Sequence, residues 1–278
     1  MSHLNEVAQP IICDAYVEPS HHWVIEKGQP PVKAPRRREA CYYYRPPGRS
    51  TGTVQADEIG TRIPLDGVND IRKRVEAWRL AGCPGLTAVT GELLAYWTRE
   101  ERERRLFFCQ REAAETIIFL VEGRQDFRQG LNVPRDDPGQ LLRYACKMAT
   151  GSGKTTVMGM LAAWSILNKI ADRSDRRFSD VVLILCPNVT IRERLQELDP
   201  HRGEASLYRT RDLVPAHLMA DLRKGHVLIR NWHVLAPQEL NRVGGVGARV
   251  VQRGDESIPP GWPASSAGTS GARATSSC

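Results

Sequence analysis

Seven consecutive residues, Thr150-Gly151-Ser152-Gly153-Lys154-Thr155-Thr156, have the types and spacing to hold a polyphosphate. Gly151 and Gly153 permit backbone angles that turn N–H groups inward toward phosphate oxygens. A helix beginning at this point adds its positive end. Lys154 would reach the β- and γ-phosphates, and the Thr155 hydroxyl would ligate Mg²⁺. Thr150, Ser152 and Thr156 complete the candidate ATP- and Mg²⁺-holding set, with Lys154 and Thr155 as its catalytic members. The full pattern G-x-x-x-x-G-K-[ST] asks for glycine at 148, where this chain has Met148.

A second candidate lies about 40 residues upstream, in Phe107-Phe108-Cys109-Gln110-Arg111-Glu112-Ala113. Gln110 stands on an otherwise apolar helix face. Its amide offers both a donor and an acceptor, which matches an adenine edge. A partly exposed helical glutamine is the plainer reading of that residue alone.

These side chains need elements to position them. The sequence predicts a buried strand over 141–148, a turn over 149–154 and a mostly apolar helix over 155–169. Val181-Val182-Leu183-Ile184-Leu185-Cys186 is a continuous β-branched run and reads as a strand. A helix over 191–198 and a third strand over 226–230 follow. Strands alternating with helices predict an α/β fold with a parallel sheet. Upstream, Val68, Ile71, Val75 and Trp78 form one helical stripe, ended by Gly82 and Pro84-Gly85. Thr90 reads as the N-cap of the next helix. A long charged helix is expected over 99–122.

Residues 1–65 read as an irregular arm rich in Pro, Arg and Tyr, with short strands. Its run Arg36-Arg37-Arg38, near Tyr42-Tyr43-Tyr44, would either meet phosphates or form a solvated loop. The resulting division is an arm over 1–65, a helical segment over 66–105, a partial nucleotide-binding domain over 106–243 and a tail over 244–278. The end of that tail is Gly-, Ser- and Ala-rich and reads as disordered.

Composition sets the class. Hydrophobic residues make up 41% and charged residues 26%, the values of a soluble globular chain. No apolar run reaches the roughly 18–20 residues of a membrane helix, and the N-terminus has no secretory pattern. A cytoplasmic protein with no membrane partner is expected. The seven cysteines are spread widely with no C-x-x-C pair, against a disulfide framework or a paired-cysteine zinc site. The net charge of +7 is diffuse, and the pI is about 9.2. That balance suits a nucleic-acid partner. It equally suits an Arg-rich proteome, since 32 of 39 basic residues are Arg.

An aromatic-Gln-x-x-Ala segment, then Met148-Ala149-Thr150-Gly151-Ser152-Gly153-Lys154-Thr155, then an apolar strand ending in Cys186-Pro187-Asn188, resembles the first half of a superfamily 2 helicase motor. In particular it is similar to the restriction subunit of type III restriction enzymes. Pro19, His22-Trp23, Arg37-Arg38, Tyr42-Tyr43, Trp78-Arg79 and Pro84-Gly85 carry the likeness upstream, so it spans roughly residues 10–250. The resemblance implies a RecA-like ATP-binding domain with flanking helices, an incomplete first motor domain. It implies that Gln110 reads adenine and that residues 150–156 hold ATP and Mg²⁺. Pro187 and Asn188 would lie near the backbone of a bound DNA strand. Asn231 and His233 resemble a further strand-contacting motif. Double-stranded DNA and a modification (methyltransferase) subunit are the implied partners.

Such a motor also needs an acidic D-E-x-x box after an apolar strand. Asp255-Glu256 follows Gln252-Arg253-Gly254 instead, and Asp57-Glu58 precedes the phosphate loop. A second motor domain and a P-D…E-x-K nuclease site are also missing. The expectation is a truncated or frameshifted chain that binds nucleotide but hydrolyses little by itself, with an apolar sheet edge left open. A non-catalytic nucleotide- or DNA-binding module, a non-functional fragment and an unrelated P-loop ATPase are the alternatives.

Overall fold

The computed structural model describes residues 9–26, 29–44, 60–131, 133 and 143–232. They fall into two compact units, 9–164 and 165–232, with the division inside one helix. His233 and the tail over 244–278 lie outside the described residues.

In the first unit the arm forms two antiparallel strand pairs. β1 (His21–Val24) pairs with β2 (Val32–Pro35), and β3 (Cys41–Tyr44) with β4 (Thr61–Pro64). Helices follow: α1 (Asp66–Leu80), α2 (Ala88–Thr98), α3 (Phe108–Glu122) and a single turn, α4 (Gln125–Arg128). The predicted stripe on α1 buries its C-terminal half. Val75 and Trp78 are fully enclosed, whereas Val68 is exposed. Trp78 meets Phe119 of α3 with ring centroids 5.5 Å apart, and its indole N–H donates to the Pro84 carbonyl at 2.9 Å. Leu93 and Trp97 of α2 and Ile118 of α3 close the same core.

Two expectations are corrected here. The N-cap of α2 is Thr87, whose hydroxyl accepts from the Thr90 N–H at 3.1 Å, so Thr90 lies one turn inside. The charged run over 99–107 is not helical. Arg102 is buried there and donates to the Arg104 and Tyr96 carbonyls, while Arg99 lies 3.6 Å over the Tyr96 ring. These local donors compete with the helix ladder.

The arginine run in the arm is occupied by protein groups. Arg37 makes a two-pronged pair with Glu112 of α3, and Arg38 donates to the Trp23 carbonyl at 2.6 Å. Burial and the Glu112 and Glu18 carboxylates bear on the Arg37 guanidinium; the carboxylates win and hold it above its ordinary range. Arg37 therefore latches the arm to α3, while Arg38 is bonded within the arm.

The helix α5 (Lys154–Ala171) crosses the division. In the second unit β5 (Val181–Cys186) lies parallel to β6 (His226–Asn231), in register from Val181 opposite His226 to Cys186 opposite Asn231. Between them run α6 (Val189–Leu195), short 3₁₀ turns, α7 (Leu207–Thr210) and α8 (Met219–Leu222). Gly225, just before β6, packs tightly against the C-terminal half of α5. A Cβ there would stand 2.4 Å from Ile166 and 2.8 Å from the Asp180 carbonyl. Ile184, Cys186, Val227 and Ile229 are buried on one sheet face. Tyr208 is fully enclosed below, donating to the Leu198 carbonyl at 2.9 Å, and burial pushes its phenol pKa up. The other face carries Val181, Leu183, Leu185 and Leu228 exposed. Parallel sheets are ordinarily covered on both faces.

The strand expected over 141–148 is absent at 143–148, which has no regular structure. A strand exists only by pairing with a neighbour, and each sheet among the described residues has two strands, none from this segment.

Candidate functional site

The candidate phosphate loop turns at its two glycines. Gly151 has φ 81° and Gly153 φ 84°, both in the left-handed region. The loop is braced by the Ser152 hydroxyl, which donates to the Ala149 carbonyl at 2.7 Å. α5 begins at Lys154. Thr155 is half-buried and Thr156 buried, while Thr150 and Lys154 are exposed. The Lys154 ammonium folds back across the loop. It donates to the Met148 carbonyl at 3.1 Å and the Ala149 carbonyl at 2.9 Å. An anion would have to compete with these two neutral oxygens, and a phosphate does so by charge.

Gln110 is buried and sits against this loop. Its Nε2 donates to the Ser152 carbonyl at 3.0 Å, across 42 residues of sequence. Its Oε1 accepts the Phe107 N–H at 3.0 Å, the reciprocal half of a helix N-terminal box. Both ends of the amide are thus engaged by protein, and one N–H of Nε2 is left for another acceptor. The positive-φ turn at Gly153 makes room for it. A Cβ at 153 would stand 2.1 Å from Gln110 Nε2.

Gly153→Ala tests this packing. The residue must leave the left-handed region or strain there, at about 1–2 kcal/mol, and Gln110 must swing off Ser152. The expected outcome is a chain that still folds, with a melting temperature lower by several degrees and nucleotide affinity reduced more than about tenfold. Unchanged affinity would show that the contact is incidental.

A cavity of about 300 Å³ opens beside the loop, bounded by Phe107, Phe108, Cys109, Ser152 and Arg37 together with part of the arm. Cys109 Sγ lies 4.0 Å from the Ser152 carbonyl. Although its edge is solvent-exposed, partial burial pushes the thiol pKa up, opposed by backbone N–H groups at 109 and 110.

In the second unit the strand register brings the other candidates together. Pro187 and Asn188 follow β5, and Asn231 ends β6 beside them. Asn188 caps α6, its side chain accepting the Ile191 N–H at 2.9 Å. Asn231 Oδ1 accepts from the Cys186 thiol at 3.4 Å. Pro187 and Asn188 are exposed and Asn231 half-exposed, so the strand ends present polar groups to solvent. His233 lies outside the described residues.

Asp14, Ala15 and Val17, on the arm side of the cavity, carry no sequence signal. The Ala15 and Tyr16 carbonyls tie this segment to α3 and its N-terminus, and any residue type supplies a carbonyl.

No protein-family model matches the chain, and no curated protein or solved structure matches it either. Among the described residues no helix is long and apolar enough to cross a membrane.

Proposed function

We propose that the chain is the ATP- and DNA-binding N-terminal portion of a type III restriction-like helicase motor. The observation that carries this reading is the hydrogen bond from Gln110 to the Ser152 carbonyl. Two separate segments of the resemblance, the aromatic-Gln-x-x-Ala segment and the loop over 150–156, meet at bonding distance. In this reading Lys154 turns from its carbonyl partners to the β- and γ-phosphates. The Thr155 hydroxyl, half-buried at the start of α5, holds Mg²⁺. Mg²⁺ bound with the nucleotide would supply charge neutralisation at the phosphates. Gln110 answers the adenine edge while bracing the loop. Pro187, Asn188 and Asn231 would form a strand-contacting edge, to which the resemblance adds His233, and the net charge of +7 favours a phosphate backbone. No Asp-Glu pair lies between Asn188 and Arg253, so turnover by this chain alone is expected to be weak or nil. The modification subunit of a type III system is the proposed protein partner, and the cytoplasm the proposed location.

Cys109 gives a direct test. Its raised thiol pKa makes alkylation slower than for a free cysteine at neutral pH. The rate should keep rising with pH past the point where a free cysteine's levels off. Saturating MgATP should slow labelling of Cys109, read by peptide mass mapping against the other cysteines. Labelling that is indifferent to MgATP would count against nucleotide binding at this loop.

A further inference from the structure

We propose that arm residues 14–19 form the outer wall of a purine-base pocket, so that the arm belongs to the nucleotide site. This inference rests on the phosphate-loop reading and extends it to a segment the helicase resemblance does not assign. The cavity beside the loop is bounded on its arm side by Asp14, Ala15, Val17 and Pro19. Its volume, about 300 Å³, is at the lower end of small-molecule sites, which run roughly 300–1,000 Å³. Most of the lining is apolar. Its polar lining residues are Asp14, Ser152 and Arg37, the last already paired with Glu112. That is the pattern that suits a flat heteroaromatic ring with amine and ring-nitrogen edges.

The arm is fixed there by four separate attachments. The Ala15 carbonyl accepts the Phe108 N–H at 2.8 Å, satisfying a first-turn donor of α3 that has no partner within its own helix. The Tyr16 carbonyl accepts from Arg111 at 2.8 Å. The Tyr16 ring lies 5.5 Å from that of Phe107, and the Arg105 guanidinium 4.3 Å over Tyr16. All four anchor on the segment just before Gln110 or on the turn that carries it. Asp14 is held by accepting the Tyr16 N–H at 2.9 Å through Oδ1, which leaves Oδ2 for an exocyclic amine. Ser152 lines the cavity and is also the residue that Gln110 holds. A nucleotide with its phosphates on the loop therefore has the cavity as the adjoining space for its base. Val17 is 49% exposed, so one side of a hydrophobic wall is uncovered.

The test compares two ligands on the full chain: ATP, and inorganic tripolyphosphate, which has the phosphates without the base. The double variant Ala15→Gln/Val17→Gln keeps the charge and alters two exposed side chains. It should weaken MgATP about tenfold and leave tripolyphosphate within about twofold. Equal loss of both ligands, or loss of neither, overturns the arm assignment. Failure of the underlying reading looks different, because the wild-type chain would then bind neither ligand. A second measurement needs no variant. Adenosine, which has no phosphates, should slow alkylation of Cys109 in the wild-type chain. Protection by ATP and by tripolyphosphate but not by adenosine would overturn the base pocket while leaving the phosphate loop in place.

Discussion

Lys154→Ala is expected to lower MgATP affinity at least about a hundredfold while leaving the fold intact. A charge-assisted bond to phosphate contributes roughly 1.5–3 kcal/mol, and this ammonium is placed to make more than one. A hundredfold corresponds to about 2.8 kcal/mol. The lysine is exposed, and its present partners are the Met148 and Ala149 carbonyls at the surface. Its removal therefore leaves no buried group without a partner, and the melting temperature should move little. Equilibrium binding of labelled ATP, beside a thermal melt, separates the two effects. A variant that binds ATP as the wild type does would place the nucleotide elsewhere or nowhere.

The largest stability effect is expected at Glu122. This carboxylate is 3% exposed and collects three donors. Its Oε1 accepts the Thr90 hydroxyl at 2.7 Å and the Trp164 indole N–H at 2.6 Å, and its Oε2 accepts the Thr87 N–H at 2.8 Å. One side chain thus fastens the start of α2 and the middle of α5 to the end of α3. Glu122→Ala removes the shared acceptor of all three, although the Trp164 indole keeps the Thr90 hydroxyl at 3.1 Å, and each donor left unsatisfied costs about 1–3 kcal/mol. We expect a loss of about 4 kcal/mol and a fall in melting temperature of roughly 8–16 °C. Glu122→Gln should lose about half as much, because its amide oxygen still serves one side of the network while its NH₂ opposes the other. A shift within about 2 °C for the alanine variant would mean that water or rearrangement supplies the missing acceptor.

What was legible in the sequence followed local rules. The stripe on α1, the apolar runs of β5 and β6, and the glycines of the phosphate loop each encode their conformation within a few residues. The strand expected over 141–148 is absent at 143–148 because apolar character alone does not make a strand; a pairing partner does. The helix expected over 99–122 began late because its charged residues had nearer carbonyls to serve than the helix ladder. Thr87 and Thr90 differ little as caps on paper, and the choice went to the residue whose N–H also meets Glu122. The candidate site was legible in its loop and in Gln110, but not in how they meet. The bond from Gln110 to Ser152 depends on packing across 42 residues. Much of the arm wall was invisible for another reason: the Ala15 and Tyr16 carbonyls help to hold it, and backbone atoms leave no mark on residue type.

The most direct test of the nucleotide assignment is a calorimetric titration of the intact wild-type chain with MgATP and, separately, MgGTP, with hydrolysis followed in the same samples with and without duplex DNA. The account predicts saturable binding of one ATP per chain, weaker binding of GTP, and little turnover in either condition. No heat of binding for either nucleotide would contradict the phosphate loop itself. Vigorous DNA-stimulated hydrolysis would contradict the claim that this chain lacks its water-activating carboxylate.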